Sequence, residues 1–217
     1  MADKLVSKTN EGNLVWVRLS PRAHWDGEQL IIIYQIFHFM VYIIFPLIIL
    51  IFFYFFSSKV SPIPYFPTNK ADLDKIIKAL NMKKYGVVID LGAGDGTVIF
   101  AAAQKAYQDK LNTYFIAIDI NPILIAYMWI GRLFHPNKAN IRLILGDMFK
   151  VDYAPMLKKY SQRVFYIYIS PWFTEATSHM IHDQKLKSRI VSYFYPVQDK
   201  KEDQKIKGVH DVYIYKS

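Results

Sequence analysis

The chain has 217 residues, 53% of them apolar, with 27 Lys/Arg against 18 Asp/Glu and a formal net charge of +9. It has no cysteine, which excludes disulfides, thiolate nucleophiles and Cys-based zinc sites. The length suits one ordinary domain plus an additional segment. Residues 1 to 56 carry four charges of each sign, so the whole positive excess lies in residues 57 to 217, a balance suited to an anionic membrane surface, an acidic protein or nucleic acid.

In chain order, residues 1 to 29 mix Trp16 and Trp25 with charges of both signs and show no period that assigns a fold. Leu30 to Phe56 is then 27 residues without a formal charge. As a helix it would measure about 40 Å against a hydrocarbon core of about 30 Å. A tilted transmembrane span is expected, kinked at Pro46, which lacks a backbone donor. The run ends F-F-Y-F-F-S-S-K, too long and too bulky for a cleaved signal peptide. Tyr34, His38 and Tyr42 recur every four residues on one face, which fits either interfacial tyrosines or a contact face for a partner helix. Charge does not orient the span, because Arg18 and Arg22 on one side balance Lys59 and Lys70 on the other. Residues 57–70 contain S-P-I-P-Y-F-P-T, from Ser61 to Thr68, which reads as a stiff extended linker.

Residues 71–217 read as the domain. A helix is expected over Ala71 to Met82, capped by Asn69 or Thr68 and carrying Leu73, Ile76, Ile77 and Leu80 at helical spacing. Strands are expected at Val87 to Asp90, Thr113 to Asp119, Ile141 to Gly146, Val164 to Ser170 and Arg189 to Tyr195, with helices at Gly96 to Tyr107, Pro122 to Phe134 and Glu175 to His182. This alternation predicts an α/β fold with a parallel sheet, whose ligand site lies at the carboxyl ends of the strands. Asp90, Asp119, Asp147 and Ser170 all fall there. After Tyr195 come a charged loop, Gln198 to Gly208, expected to be solvated, and an alternating run, Val209 to Tyr215. That leaves room for one or two antiparallel edge strands but not for a further helix.

The densest signal is V-V-I-D-L-G-A-G-D-G-T, from Val87 to Thr97. A buried strand closes on Asp90, and a turn with Gly92, Gly94 and Gly96 opens a helix. A nicotinamide fingerprint would put its third glycine at the position of Thr97; here it comes one residue early. The next strand ends in Asp119, whose carboxylate can accept both hydroxyls of a ribose. The third ends in Gly146 and Asp147.

The D-x-G-x-G-x-G spacing resembles motif I of the class I S-adenosylmethionine (SAM) methyltransferases, whose ligand carries an amino group and a sulfonium but no phosphate. The wider set is P-Y-F-P-T, D-I-N-P at Asp119 to Pro122, G-D-M-F-K-V-D at Gly146 to Asp152, S-P-W at Ser170 to Trp172 and R-I-V-S-Y-F-Y-P. It resembles the small membrane-anchored protein-lysine methyltransferases, whose mitochondrial members modify the adenine nucleotide translocase and the c-ring protein of ATP synthase. The resemblance implies a Rossmann-like sheet with helices on both faces, a shortened C-terminus and one preceding transmembrane helix. It implies SAM as cofactor, held by Asp90, Gly92, Ala93, Gly94, Asp95, Gly96, Asp119, Ile120, Asn121, Asp147, Met148 and Phe149, with Asp147 facing the adenine amine. Around the acceptor it implies Ser170, Pro171, Trp172 and Tyr65, with Phe66 and Phe173 available to an aromatic wall.

The acceptor implied is a lysine of a membrane-associated protein, with the catalytic domain on the cytosolic side, where SAM is made. Two residues depart from the family pattern: Asp119 replaces a longer Glu, and Trp172 follows Pro171 where those sequences differ. S-P-W-F is also similar to the N-P-P-F/Y box of amino-methyltransferases acting on nucleic acid or glutamine, although Ser170 is a poorer acceptor than Asn and a membrane anchor disfavours a base modifier. A lipid or quinone methyltransferase and a non-catalytic SAM-fold adaptor are the other readings. No metal is expected, since His179 and His182 share a helix face without a third ligand.

Overall fold

The computed structural model describes residues 5–10, 13–18, 27–56, 66–198 and 200–216. They fall into two compact units, Met1–Phe53 and Tyr54–Ser217. The first opens with an antiparallel hairpin, β1 (Leu5–Asn10) and β2 (Asn13–Arg18), paired from Leu5 opposite Arg18 to Asn10 opposite Asn13. Then α1 (Gly27–Phe56) continues through Pro46. Its Glu28–Ile51 portion, 24 residues, is long and apolar enough to cross a membrane. Tyr34, His38 and Tyr42 do share a face, with successive ring centroids 4.4 and 5.9 Å apart.

The second unit is built on seven strands: β3 (Val87–Leu91), β4 (Tyr114–Asp119), β5 (Ile141–Leu145), β6 (Arg163–Ile167), β7 (Arg189–Tyr193), β8 (Gln204–Ile206) and β9 (Val212–Lys216). Their order is β5-β4-β3-β6-β7-β9-β8. Five are parallel, whereas β9 runs antiparallel to both β7 and β8. The chain lays down β3, β4 and β5 in one direction and then returns to place β6 on the other side of β3. That reversal opens a crevice at the strand ends.

The inner strands are apolar without alternation because both faces are covered. On one face α2 (Leu73–Leu80), α3 (Thr97–Gln108) and α4 (Pro122–Phe134) pack against Val88, Phe115 and Ala117. On the other, α5 (Ala154–Leu157) and α6 (Thr174–Asp183) pack against Val87, Ile89 and Ile116. Asn69 caps as expected, its side chain accepting from Ala71 N at 3.0 Å. The helix behind it is shorter than its apolar spacing implies: a 3₁₀ turn, Lys70–Asp72, precedes α2, and Asn81 ends it in the left-handed region at φ +46°.

Two strands also end early. β6 stops at Ile167, three residues before Ser170, and β7 stops at Tyr193 because Phe194 takes φ +72°. The C-terminus has the two antiparallel edge strands and, among the described residues, no helix between β7 and β8. The loop from Gln198 to Gly208 is not merely solvated, since β8 lies within it and pairs with β9 through the main chain.

Candidate active site

The turn between β3 and α3 is fixed from two sides. Gly92 N and Ala93 N both donate to Ile118 O at 2.9 Å, fastening it to the end of β4. Gly92, Gly94 and Gly96 all have positive φ. At Gly96 a side chain would also collide with Phe100 and Met128, whose atoms lie 2.7 and 2.9 Å from where its Cβ would stand. Glycine is therefore required for helix packing there, and at Gly92 for the turn itself.

Asp119, at the end of β4, is the pivot. Its Oδ2 accepts from Gly94 N and its Oδ1 from Asn121 N, both at 2.8 Å. Burial raises its pKa, and the amides of Asn121, Gly94 and Ile120 offset part of that rise. Asn121 in turn caps α4, accepting from Ile123 N at 2.9 Å. Asp90 has no such relief. Burial pushes its carboxyl well above the usual range, and the negative charges of Asp119 and Asp95 push it further. At the end of β5, Asp147 accepts from Phe149 N at 3.0 Å, and Gly146 N donates to Asp119 O at 3.0 Å.

Between these turns lies a cavity of about 290 Å³ lined by Gly92, Ile118, Asp119, Ile120, Gly146, Asp147, Met148, Phe149, Ile169 and Phe173. Six of the twelve residues read as cofactor ligands thus line it: Gly92, Asp119, Ile120, Asp147, Met148 and Phe149. Asp90, Ala93, Gly94, Asp95, Gly96 and Asn121 do not. Gly94 and Asn121 shape it through Asp119, whereas Asp95 caps α3, its carboxylate accepting from Thr97 N and Oγ1 at 2.9 and 2.8 Å. The lining residues not read as ligands are Ile118 and Gly146, each beside an acid, and Ile169, beside Ser170, apolar or small positions that carry no chemical signature of their own.

On the acceptor side the residues separate. Tyr65 lies outside the described residues. Trp172 is 81% exposed and does not line the cavity. Phe173 takes that place, its ring 6.3 Å from Phe149. The Ser170 carbonyl accepts from Phe173 N at 3.0 Å and the Pro171 carbonyl from Thr174 Oγ1 at 3.0 Å, so both belong to the local 3₁₀ turn.

An RNA methyltransferase from Salinibacter ruber, solved with S-adenosyl-L-homocysteine, superposes on 70% of this chain and 93% of its own with a TM-score of 0.59, at 20% identity. The fold is that of a class I methyltransferase. No family model matches the chain. By sequence it is similar to the lysine N-methyltransferases of the ATP synthase c-subunit from Caenorhabditis elegans (29% over 99 residues), Xenopus laevis (27% over 96) and Homo sapiens (23% over 92). These alignments take in 42–43% of this chain and 49%, 38% and 36% of the respective relatives, so the chain matches less than half the length of each.

The crevice at the strand ends suits a ligand that offers hydroxyls and positive charge. Asp119 and Asp147 line it, Asp90 lies buried behind it, and among the described residues no Lys or Arg lines it. A phosphate would meet repulsion. Asp90 also makes a test possible. Because its folded pKa is raised, its ionisation costs stability as pH climbs through the carboxylate range. Asp90→Asn is expected to stabilise the ligand-free protein at neutral pH by about 1–2 kcal/mol, with little change near pH 4. The same variant should bind the ligand more weakly. Thermal scans at the two pH values read the first effect, and a variant no more stable at neutral pH would show that the carboxylate has a compensating partner.

Proposed function

We propose that this chain is a membrane-held SAM-dependent N-methyltransferase acting on a lysine of a membrane-associated protein. The observation that carries the reading is the glycine turn fastened to Asp119 beside a cavity walled by acids and apolar side chains. Bound there, SAM supplies an activated methyl group with its own leaving group. Asp119 offers each carboxylate oxygen to a ribose hydroxyl while the backbone holds it still, and Asp147 offers its own to the adenine amine. Ile118, Ile120, Met148 and Ile169 supply the apolar walls that exclude water. Alignment of donor and acceptor is the main catalytic demand, so no nucleophilic group is needed.

Phe149 and Phe173 line the acceptor side. A lysine amine brought between them loses hydration, which favours its neutral, reactive form. Ser170, three residues before Phe173 of the wall by way of the 3₁₀ turn, is the group proposed to accept from the amine, with Pro171 stiffening its turn and Trp172 presenting an exposed ring to the approaching substrate. The names of the sequence relatives support lysine as the acceptor. The length and composition of α1 support the membrane setting, with the domain on the cytosolic side where SAM is made.

The test uses the full-length chain in host membranes with radiolabelled SAM. Label is expected in protein, on lysine, and the enzyme is expected to stay in the membrane pellet after carbonate washing. Label confined to lipid or RNA would replace the acceptor, and release by carbonate would remove the anchor from the reading.

A further inference from the structure

α4 is apolar on both sides. Leu124, Ile125 and Met128 face the sheet and are buried. Ile123, Ala126, Tyr127, Ile130, Leu133 and Phe134 follow the same helical spacing but form a second stripe turned away from the core. Tyr127 is 62% exposed, Ile130 60% and Phe134 84%. From Asn121 to Gly131 the helix carries no charge, and Arg132, whose guanidinium sits 5.0 Å from the Trp129 ring, is its one ionisable cation. Beside the stripe, Tyr127 and Ile130 wall a groove of about 280 Å³ against Phe100 of α3. An apolar helix face of this length is not left open to water on an ordinary soluble surface.

We infer that the outer stripe of α4 is a bilayer-contact surface that sinks into the headgroup boundary and lays the domain on the membrane. Three observations favour a bilayer over a protein partner. Trp129, Tyr127 and Phe134 are of the aromatic class that collects at the membrane boundary. The stripe ends near Lys138, and the whole net charge of +9 belongs to residues 57–217, which complements anionic headgroups. The uncharged run of α1 ends at Phe56, and the thirteen residues from there to Asn69 extend at most about 45 Å, so the bilayer is always within reach. The stripe begins at Pro122, next to Ile120 of the cavity, so a domain resting on α4 holds the mouth of the crevice close to the membrane surface. The inference rests on the membrane reading of α1 and is independent of methyl transfer.

The absence of cysteine makes single labels simple. Full-length chains carrying Tyr127→Cys, Ile130→Cys or Phe134→Cys, and His179→Cys on α6 as the opposite-face control, are coupled to a polarity-sensitive fluorophore. They are placed one per disc in phosphatidylcholine nanodiscs containing a minority of phosphatidylglycerol. The three α4 labels are expected to shift to the blue and to be quenched several-fold more by lipid-borne than by aqueous quenchers, while the His179→Cys label stays aqueous. Adding Ile130→Glu and Phe134→Glu, both at exposed positions that leave the fold intact, is expected to abolish the shift of the Tyr127→Cys label. Aqueous α4 labels on a chain that is inserted through α1 would overturn the inference and leave the function above standing. A blue shift seen only with two chains per disc would assign the stripe to a second copy and overturn it as well. Failure of α1 to insert would overturn both.

Discussion

Asp119→Ala is expected to weaken SAM binding at least tenfold. Hydrogen bonds to a carboxylate are worth roughly 1.5 to 3 kcal/mol each, and on the proposed reading this side chain accepts two from the ribose. The same carboxylate also holds Gly94 N and Asn121 N at 2.8 Å and so maintains the shape of the turn and the start of α4, which adds to the loss. Asp119→Asn, which keeps one oxygen, should fall in between. Calorimetry on the full-length protein measures both, with a thermal scan to confirm that the fold persists. Unchanged affinity in a folded Asp119→Ala protein would falsify the assignment of this residue to the ribose.

The second large effect lies away from the crevice. Asp72 is fully buried at the start of α2, yet it accepts from Val209 N and His210 N at 2.8 Å, from Tyr193 OH at 3.0 Å and from Lys75 Nζ at 3.2 Å. Burial by itself would raise its pKa, but the His210 and Val209 amides, with Lys75 and Tyr193, hold it down to about 2. Asp72→Ala leaves two main-chain donors and a tyrosine hydroxyl without their acceptor. The expected cost is about 3–5 kcal/mol, a large part of the 5–15 kcal/mol that keeps an ordinary domain folded.

The depressed pKa gives the sign of the pH effect. The Asp72 contribution is fully present above its unfolded value of 3.8 and is lost as pH falls toward 2, so wild type should lose stability over that window and Asp72→Ala should lose less. Gly208→Val offers a second route to the same point, since its side chain would run into Asp72 Oδ1 and His210 O. Denaturant midpoints at neutral pH and near pH 3 test both variants. Equal midpoints for Asp72→Ala and wild type at neutral pH would show that water replaces the lost acceptor.

Much of the sheet was legible in the residues because its inner strands are covered on both faces and the first three run into acids. Asp90, Asp119 and Asp147 each follow an apolar run, and that conjunction located the crevice as well as the strands. What local pattern does not contain is partner identity. Nothing in A-D-L-D-K marks Asp72 rather than Asp74 as the residue that would be buried against Val209 and His210. β8 pairs through its main chain and puts only Ile206 against the core, so the three residues Q-K-I have no burial period to betray the strand. The four residues of α5 are too few to establish a helical period. Trp172 and Phe173 are adjacent aromatics, and only the 3₁₀ turn after Ser170 decides which of them lines the cavity. The hairpin did leave a trace, two β-branched runs on either side of Glu11 and Gly12, but its charges of both signs obscured the alternation.

The Asp72 cluster also bears on the order in which the domain can be completed. As the chain emerges during synthesis, α1 and the residues around Asp72 appear before any strand of the large sheet. The two main-chain partners of Asp72, Val209 and His210, appear 137 and 138 residues later. β9 emerges after both β7 and β8 and sits between them, so that edge of the sheet stays open until Lys216 is out. A domain closed by its first and last segments cannot settle piece by piece, because the contact that seals it spans nearly its whole length. On the membrane reading proposed above, an anchor that inserts early would then hold an unfinished domain beside the bilayer while the rest is made.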